Sequence, residues 1–439
     1  MSAPPARLTR SYVVDQLARY WPSAGERIAR LPVPDALNSR PECLPPPVSR
    51  VELPDWAADA GVERALCVPA PYIVDKEQPV WKRTDWFGVA FWFLNGCAEQ
   101  AFERGSGPIH AYSHRLGGWD PYIWEKAWVN RIALFLRKWA ARETGRDETE
   151  LFGALPEPEI LVTHDVDAIR KTPAIRLKQS AFQVFNSLRC ATRMRLPRAA
   201  RRLASAAQFL FSAADYWCFD ELADAEEALG LRSCFFVYGG DLRQRSPQQR
   251  LLDPGYDLGE PALKNKLCEL AARGWQVGLH QSFNAWRDTE LMSCEKSRLE
   301  RTLGTPVTMC RQHWLRFSWV DTWRAQQNAG LELDATLGFN DRPGFRNGAA
   351  LRFHPWNLES RQPRRIAAVP MVLMDSHLYD YAELSGPERD AELDRWVDEV
   401  RAVRGTATIN WHQHTLAEDY GWRPGFDRVL AITAASGRR

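Results

Sequence analysis

Three short segments of the chain end in the same way. Ile160-Leu-Val-Thr-His-Asp-Val-Asp167, Val277-Gly-Leu-His-Gln-Ser-Phe-Asn284 and Thr408-Ile-Asn-Trp-His-Gln-His414 are apolar runs that stop on ionisable or polar side chains. Buried parallel strands read as continuous Val, Ile and Leu runs, and in α/β barrels the reacting groups sit where those runs end, at the C-terminal mouth. Aspartates and histidines delivered to one mouth from distant parts of the chain point to metal-assisted hydrolysis.

At 439 residues the chain exceeds what one core usually serves, so two domains are expected. Residues 31–56 are proline-rich and should run extended over a surface. A tryptophan-rich stretch follows, with helical patterns at 85–94 and 124–140, the second carrying apolar residues at 124, 128, 132, 135 and 139. Leu155-Pro-Glu-Pro-Glu159 then marks a boundary between an N-terminal α+β domain, 1–155, and a second domain, 156–439. Within the second, strand candidates at 160–164, 233–238, 275–279, 308–310, 333–335, 366–374 and 407–411 alternate with helical patterns such as 261–273, 295–303 and 320–329. Seven strands in one alternating run predict an α/β barrel.

One stretch interrupts the alternation. Between Ala168 and Ala214 there are ten Lys and Arg residues and no acid, interleaved with Ile175, Phe182, Phe185, Leu188 and Leu203 at helical spacing. Two readings stand: a solvated helical hairpin over the barrel edge, or a basic amphipathic surface for an anionic membrane or an anionic substrate. The net charge of +2 gives no general argument for nucleic acid. Nine cysteines without a C-x-x-C pair fit a reducing compartment. The first residues lack an apolar leader core, and no stretch approaches the ~20 apolar residues of a membrane span. A cytoplasmic location is expected, peripheral to the inner membrane face if the 168–214 segment binds lipid.

Strand alternation turns Thr163, Asp165 and Asp167 to one face and His164 and Val166 to the other. Two carboxylates within ~7 Å both ionise comfortably only beside a cation. His280 closes the second run, and a helical turn after it would put Asn284 on the same face, where both could hold one ion with Asp167. His412 and His414 end the last run on a shared face. Either suits the general acid required opposite the carboxylates, and spacing does not choose between them.

Taken in order, Thr163-His-Asp-Val-Asp167, Gly278-Leu-His280, Arg311-Gln-His313, Thr336-Leu-Gly-Phe-Asn-Asp-Arg-Pro-Gly-Phe345 and Trp411-His412 resemble the polysaccharide deacetylase (NodB-homology) family of carbohydrate esterases. The likeness covers residues 156–435 and is nearest a larger bacterial subgroup with an uncharacterised N-terminal domain. It implies a distorted (β/α)7 barrel with 168–214 as a basic helical insertion. It also implies Asp165 as catalytic base, Asp167 as metal ligand, Arg311 orienting the base, and His412 as general acid with His414 in support. Asp334 is the candidate for the family's later aspartate, which positions Arg311. The chain departs from the family pattern at Asn284, where a second histidine is usual, at Gln281, and in lacking the Pro-Tyr that follows the arginine.

The reading that follows is removal of an N-acetyl group from an amino sugar during surface-glycan biosynthesis. One divalent ion, zinc foremost, would be held by Asp167, His280 and Asn284, and His313 or Trp314 would contact an N-acetylated sugar or a lipid-linked or nucleotide-linked glycan. Two alternatives remain open: hydrolysis of another C–N amide bond on the same fold, or a catalytically silent glycan-binding scaffold in which Asn284 marks decay.

Overall fold

The computed structural model describes residues 6–36, 43–382 and 384–436. Eight parallel strands form a curled sheet: β1 (Glu159–Val166), β2 (Cys234–Tyr238), β3 (Gln276–Gln281), β4 (Met309–Gln312), β5 (Leu333–Asp334), β6 (Ala367–Ala368), β7 (Met371–Met374) and β8 (Thr406–Asn410). Their spatial order is β6-β5-β4-β3-β2-β1-β8-β7. Helices such as Pro261–Ala272, Thr289–Leu303 and Thr322–Asn328 connect successive strands. Several strands are buried along their whole length, which is why they read as unbroken apolar runs.

The strand expected at 366–374 is two strands on opposite edges. Ala367–Ala368 pairs with β5, whereas Met371–Met374 pairs with β8. Pro370 lies between them and has no N–H to donate, so a continuous ladder cannot pass through it. The backbone changes partner there: Val369 N–H donates to Asp334 O, while Pro370 O accepts from Thr408 N–H. One short segment therefore touches both edges of the curled sheet.

The two faces of the sheet are packed differently. The face bearing Asp165 and Arg311 holds a small cluster of Cys234, Phe236 and Ala335. The opposite face joins a large core in which Phe235, Val237, Leu279 and Ile409 pack with side chains from the N-terminal part, including Trp86 and Trp128. Gly278 matters to the inner face, because a Cβ there would lie 2.7 Å from the Phe236 ring. Without that Cβ the ring lies across β3 and carries the Arg311 guanidinium 4.6 Å from its centroid.

In the N-terminal part, the helices Trp86–Leu94 and Trp128–Thr144 supply much of the apolar core, and the strands Val48–Glu52 and Ala65–Pro69 pair antiparallel. The pattern read as a helix from 124 begins four residues later, after a tight turn at Pro121–Trp124. Part of the proline-rich stretch, 37–42, lies outside the described residues. Arg131 forms a bidentate pair with Glu399, both bonds 2.7 Å, and Tyr20 Oη donates to Val403 O at 2.6 Å. The 168–214 segment forms two packed helices, Pro173–Thr192 and Leu196–Phe211.

Candidate metal and acid–base site

Asp167 lies just past the end of β1, and three imidazoles converge on it. His280 Nε2 and His313 Nδ1 lie 3.3 and 3.4 Å from Asp167 Oδ1, and His412 Nε2 lies 3.7 Å from Oδ2. One ligand atom each from Asp167, His280 and His313 can be chosen within 4.8 Å of one another, so these three could hold one metal ion. His313 reaches the site through a strained turn. Trp314 and Leu315 both adopt positive φ, 57° and 48°, a left-handed conformation that costs non-glycine residues ~1 kcal/mol or more each.

The hydrogen bonds of the two rings decide what they can do. His280 Nδ1 donates to Arg311 O at 3.0 Å, and His313 Nε2 donates to Leu252 O at 2.8 Å. In a neutral imidazole that leaves His280 Nε2 and His313 Nδ1 as bare lone pairs, yet these atoms sit 2.8 Å apart. Two facing lone pairs repel unless a cation or proton shares them. Asp167 Oδ1 beside them is buried with no hydrogen-bond partner. An orphaned carboxylate oxygen and two ring nitrogens anchored from behind by carbonyls are the donor set and outer shell of a divalent-metal site. Burial alone would raise the Asp167 carboxyl; His313, His280 and His412, in their protonated forms, hold it well below the usual carboxylate range, the place a cation would take.

Asn284 is not among these groups. β3 continues to Gln281 and the next helical turn, Ala285–Arg287, begins only after Asn284, so the expected one-turn relation between 280 and 284 does not exist. Asn284 is exposed, and its Oδ1 accepts from Arg316 Nη1 at 3.4 Å. His313, expected at the sugar, stands where the third ligand is needed. Its neighbour Trp314 bonds Leu252 O at 3.3 Å through Nε1, with Lys178 Nζ 5.0 Å from its ring centroid.

Asp165 is held by a buried frame. Arg311 Nη1 donates to Asp165 Oδ1 at 3.0 Å, to Thr163 Oγ1 at 2.8 Å and to Asn410 Oδ1 at 2.6 Å, while Asn410 Nδ2 donates to Asp165 Oδ2 at 3.0 Å. Register explains the frame: Thr163 is level with Asn410, and His280 with Arg311, so neighbouring strands aim these side chains at one space. Asp334 does not position Arg311. It is in register with Cys310, one residue before Arg311 and thus on the opposite face, where it accepts from Trp323 Nε1 and Gln326 Nε2, both at 2.9 Å. Arg311 Nε is held instead by Ala335 O at 3.0 Å.

His412 is anchored by a residue the sequence reading passed over. Asp375 Oδ1 accepts from His412 Nδ1 at 2.7 Å, and Oδ2 accepts from His412 N–H at 2.8 Å and Thr415 Oγ1 at 3.0 Å. Burial would lower the imidazole, but Asp375, with Asp167 and Asp165 behind it, pushes it up to about 10. His412 is therefore an imidazolium whose second N–H faces the carboxylates. His414 is its opposite: buried between the Tyr216 and Tyr420 rings, it is pushed down to about 4 by burial and by the His412 charge. Asp375 was legible in principle, since Met371-Val-Leu-Met374 is one more apolar run that stops on an ionisable residue. His313 could have been found by alternation, two positions beyond Arg311.

No family model and no curated protein matches the chain. Among solved structures it is similar to a Mycobacterium smegmatis protein provisionally named a polysaccharide deacetylase. That match has 16% identity and a TM-score of 0.36, covering 64% of this chain and 85% of that one. It is also similar to a GH57-type branching enzyme from the hyperthermophilic archaeon Pyrococcus horikoshii, at 10% identity and a TM-score of 0.27, over 64% and 68% of the two chains. With TM-scores this low, neither likeness carries an argument about function, and any functional reading stands on the residues themselves.

Proposed function

We propose that the protein is a metal-dependent amide hydrolase that removes the acetyl group from an N-acetylated amino sugar of a surface glycan, with zinc as its ion. The observation that carries the reading is the pair of facing, carbonyl-anchored imidazole lone pairs beside the orphaned Asp167 oxygen, set between a framed carboxylate and an imidazolium. Asp167, His280 and His313 would hold the divalent ion, which would supply Lewis-acid polarisation of the acyl oxygen and a lowered water pKa, ~7 for zinc. Asp165 accepts the proton of the attacking water, and its bonds to Arg311 and Asn410 hold it in place and aimed. His412 gives its Nε2 proton to the departing amine nitrogen, and Asp375 stabilises the imidazolium beforehand.

The test is acetate release from N-acetylhexosamine glycans, lipid-linked sugars and nucleotide sugars, run beside non-sugar amides and with the metal content measured. Acetate from a sugar substrate, lost on chelation and restored by zinc, is the expected result. Turnover of the non-sugar amides alone would move the chain to another C–N hydrolase. A protein that neither holds nor takes up a divalent ion would make it a silent scaffold. Asp165→Asn should keep the metal and lose turnover, because an amide cannot accept the water's proton.

A further inference from the structure

The helical hairpin is built inside out for a water-soluble element. The buried positions of the hairpin are mostly small or polar, Ser180, Gln183, Asn186, Ser187 and Cys190 on the first helix and Ala199 and Ala206 on the second, and the one large buried side chain, Phe209, packs on Tyr420. Ser180 Oγ donates to Ala206 O at 2.9 Å and Ser187 Oγ to Ala199 O at 2.7 Å, so the helices are joined by close backbone approach and hydroxyl bonds. The large apolar side chains point outward. Leu177, Phe185 and Leu188 are 68%, 60% and 62% exposed, and Leu196, Leu203 and Leu210, seven residues apart, form an exposed stripe on the second helix. Of the fifteen large apolar side chains exposed among the described residues, nine lie between Leu177 and Phe211. Water-soluble helices bury such a stripe; small residues between helices with large ones outside is the arrangement of helices that meet lipid.

Charge identifies the covering surface. The segment carries ten basic residues and no acid, with Arg189, Arg193 and Arg201 exposed among the apolar side chains. No helix among the described residues is long and apolar enough to cross a membrane, so the hairpin would lie on a bilayer. Its base is fastened to the sheet's mouth by the buried Lys171–Asp419 pair and by Gln179 Nε2 donating to Tyr420 Oη at 3.1 Å. We infer that the outer face of the hairpin seats the protein on an anionic lipid surface, apolar side chains among the acyl chains and arginines at the headgroups, with the mouth held close to that surface. The inference does not depend on the catalytic reading.

The full chain is floated with vesicles of phosphatidylglycerol and phosphatidylcholine mixed, and with phosphatidylcholine alone. Binding to the anionic vesicles and not to the neutral ones is expected. Changing Arg189, Arg193 and Arg201 to Gln should weaken it roughly a hundredfold, at ~1 kcal/mol per charge near the surface. Leu188→Asp with Leu203→Asp should weaken it by roughly tenfold or more by removing inserted apolar area. All five side chains are exposed, and an unchanged melting curve verifies that the variants fold. A chain that binds neither vesicle type overturns the inference. So does anionic binding indifferent to the Leu changes, which would be charge attraction alone. Self-association without lipid that Leu203→Asp abolishes would show that a second copy covers the face, and would also overturn it.

Discussion

The two sides of Asp167 use the same side chain for opposite ends. On one side His280 and His313 are anchored from behind by backbone carbonyls, each of which accepts one ring N–H, so the second ring nitrogen faces inward and offers its lone pair whenever a cation replaces the proton there. On the other side His412 is anchored by the Asp375 carboxylate, whose charge favours the doubly protonated ring. In this site the carbonyl-anchored rings turn a nitrogen towards Asp167 as ligands would, and the carboxylate-anchored ring, charged by Asp375, is the one placed to give a proton. The difference extends to robustness: no side-chain substitution deletes Arg311 O or Leu252 O, whereas one atom changed in Asp375 removes the charge that raises His412.

The largest effects should come from the ligand side. Asp167→Ala or His280→Ala should each abolish divalent-metal retention and all measurable turnover, and His313→Ala should do the same. Metal analysis after dialysis distinguishes the third ligand, since Asn284→Ala is expected to retain the ion. A His313→Ala protein with stoichiometric metal would break the comparison on this side.

On the acid side the expected losses are smaller and depend on pH. His412→Ala should reduce kcat by ~10²-fold or more, the usual worth of one positioned proton transfer. Asp375→Asn keeps the shape but removes the charge that raises His412. The imidazolium is the active form, so activity falls as pH rises through its pKa; the alkaline limb of the rate profile should move to lower pH in Asp375→Asn. His414→Ala should leave that limb in place. Equal losses in His412→Ala and His414→Ala would mean that the two rings act together.

A third kind of anchor appears just beyond Asp375. His377 is buried with Nδ1 accepting from Met374 N–H at 3.2 Å and Nε2 donating to Phe339 O at 3.0 Å, and burial pushes it down to about 4. Its folded pKa lies below the unfolded value of ~6.5, so the unfolded chain binds the extra proton first. Its contribution is intact above that value and is lost as pH falls towards 4, about 3 kcal/mol in all. Thermal melts at pH 7 and pH 4.5 should show a smaller acid loss in His377→Gln than in the parent. An identical acid loss would mean that His377 is not held neutral.

What could be read from sequence followed the covalent spacing of single strands, and what could not depended on relations between them. The ends of β1, β3 and β8 were visible because a buried parallel strand announces itself as an apolar run, which is how Asp165, Asp167, His280 and His412 came into view. The split at Pro370 was not, because an apolar run does not say which edge each half pairs with, although the proline forbids a continuous ladder. Asp334 was misread because its face depends on register with Cys310 across two strands. Asp375 ends a run of the same kind and shows its role only through its bond to His412, while His313 lies in the turn beyond β4 and its place depends on that turn, which helical spacing after His280, pointing to Asn284, does not reveal.

The smallest expected effect is therefore at Asn284, and it tests that lesson directly. Its side chain is exposed and turned to Arg316, whose Nη1 donates to Asn284 Oδ1. Asn284→Ala should leave metal affinity within about threefold of the parent, where loss of even an outer-shell partner of a ligand typically costs 10–100-fold. Asn284→His asks the same question from the other direction, because it restores the family's second histidine. If the third ligand is His313, the added ring finds the position filled and affinity stays flat. A large gain in metal affinity in Asn284→His, or a large loss in Asn284→Ala, would return the third ligand to the position the sequence pattern favoured and take His313 out of the metal shell.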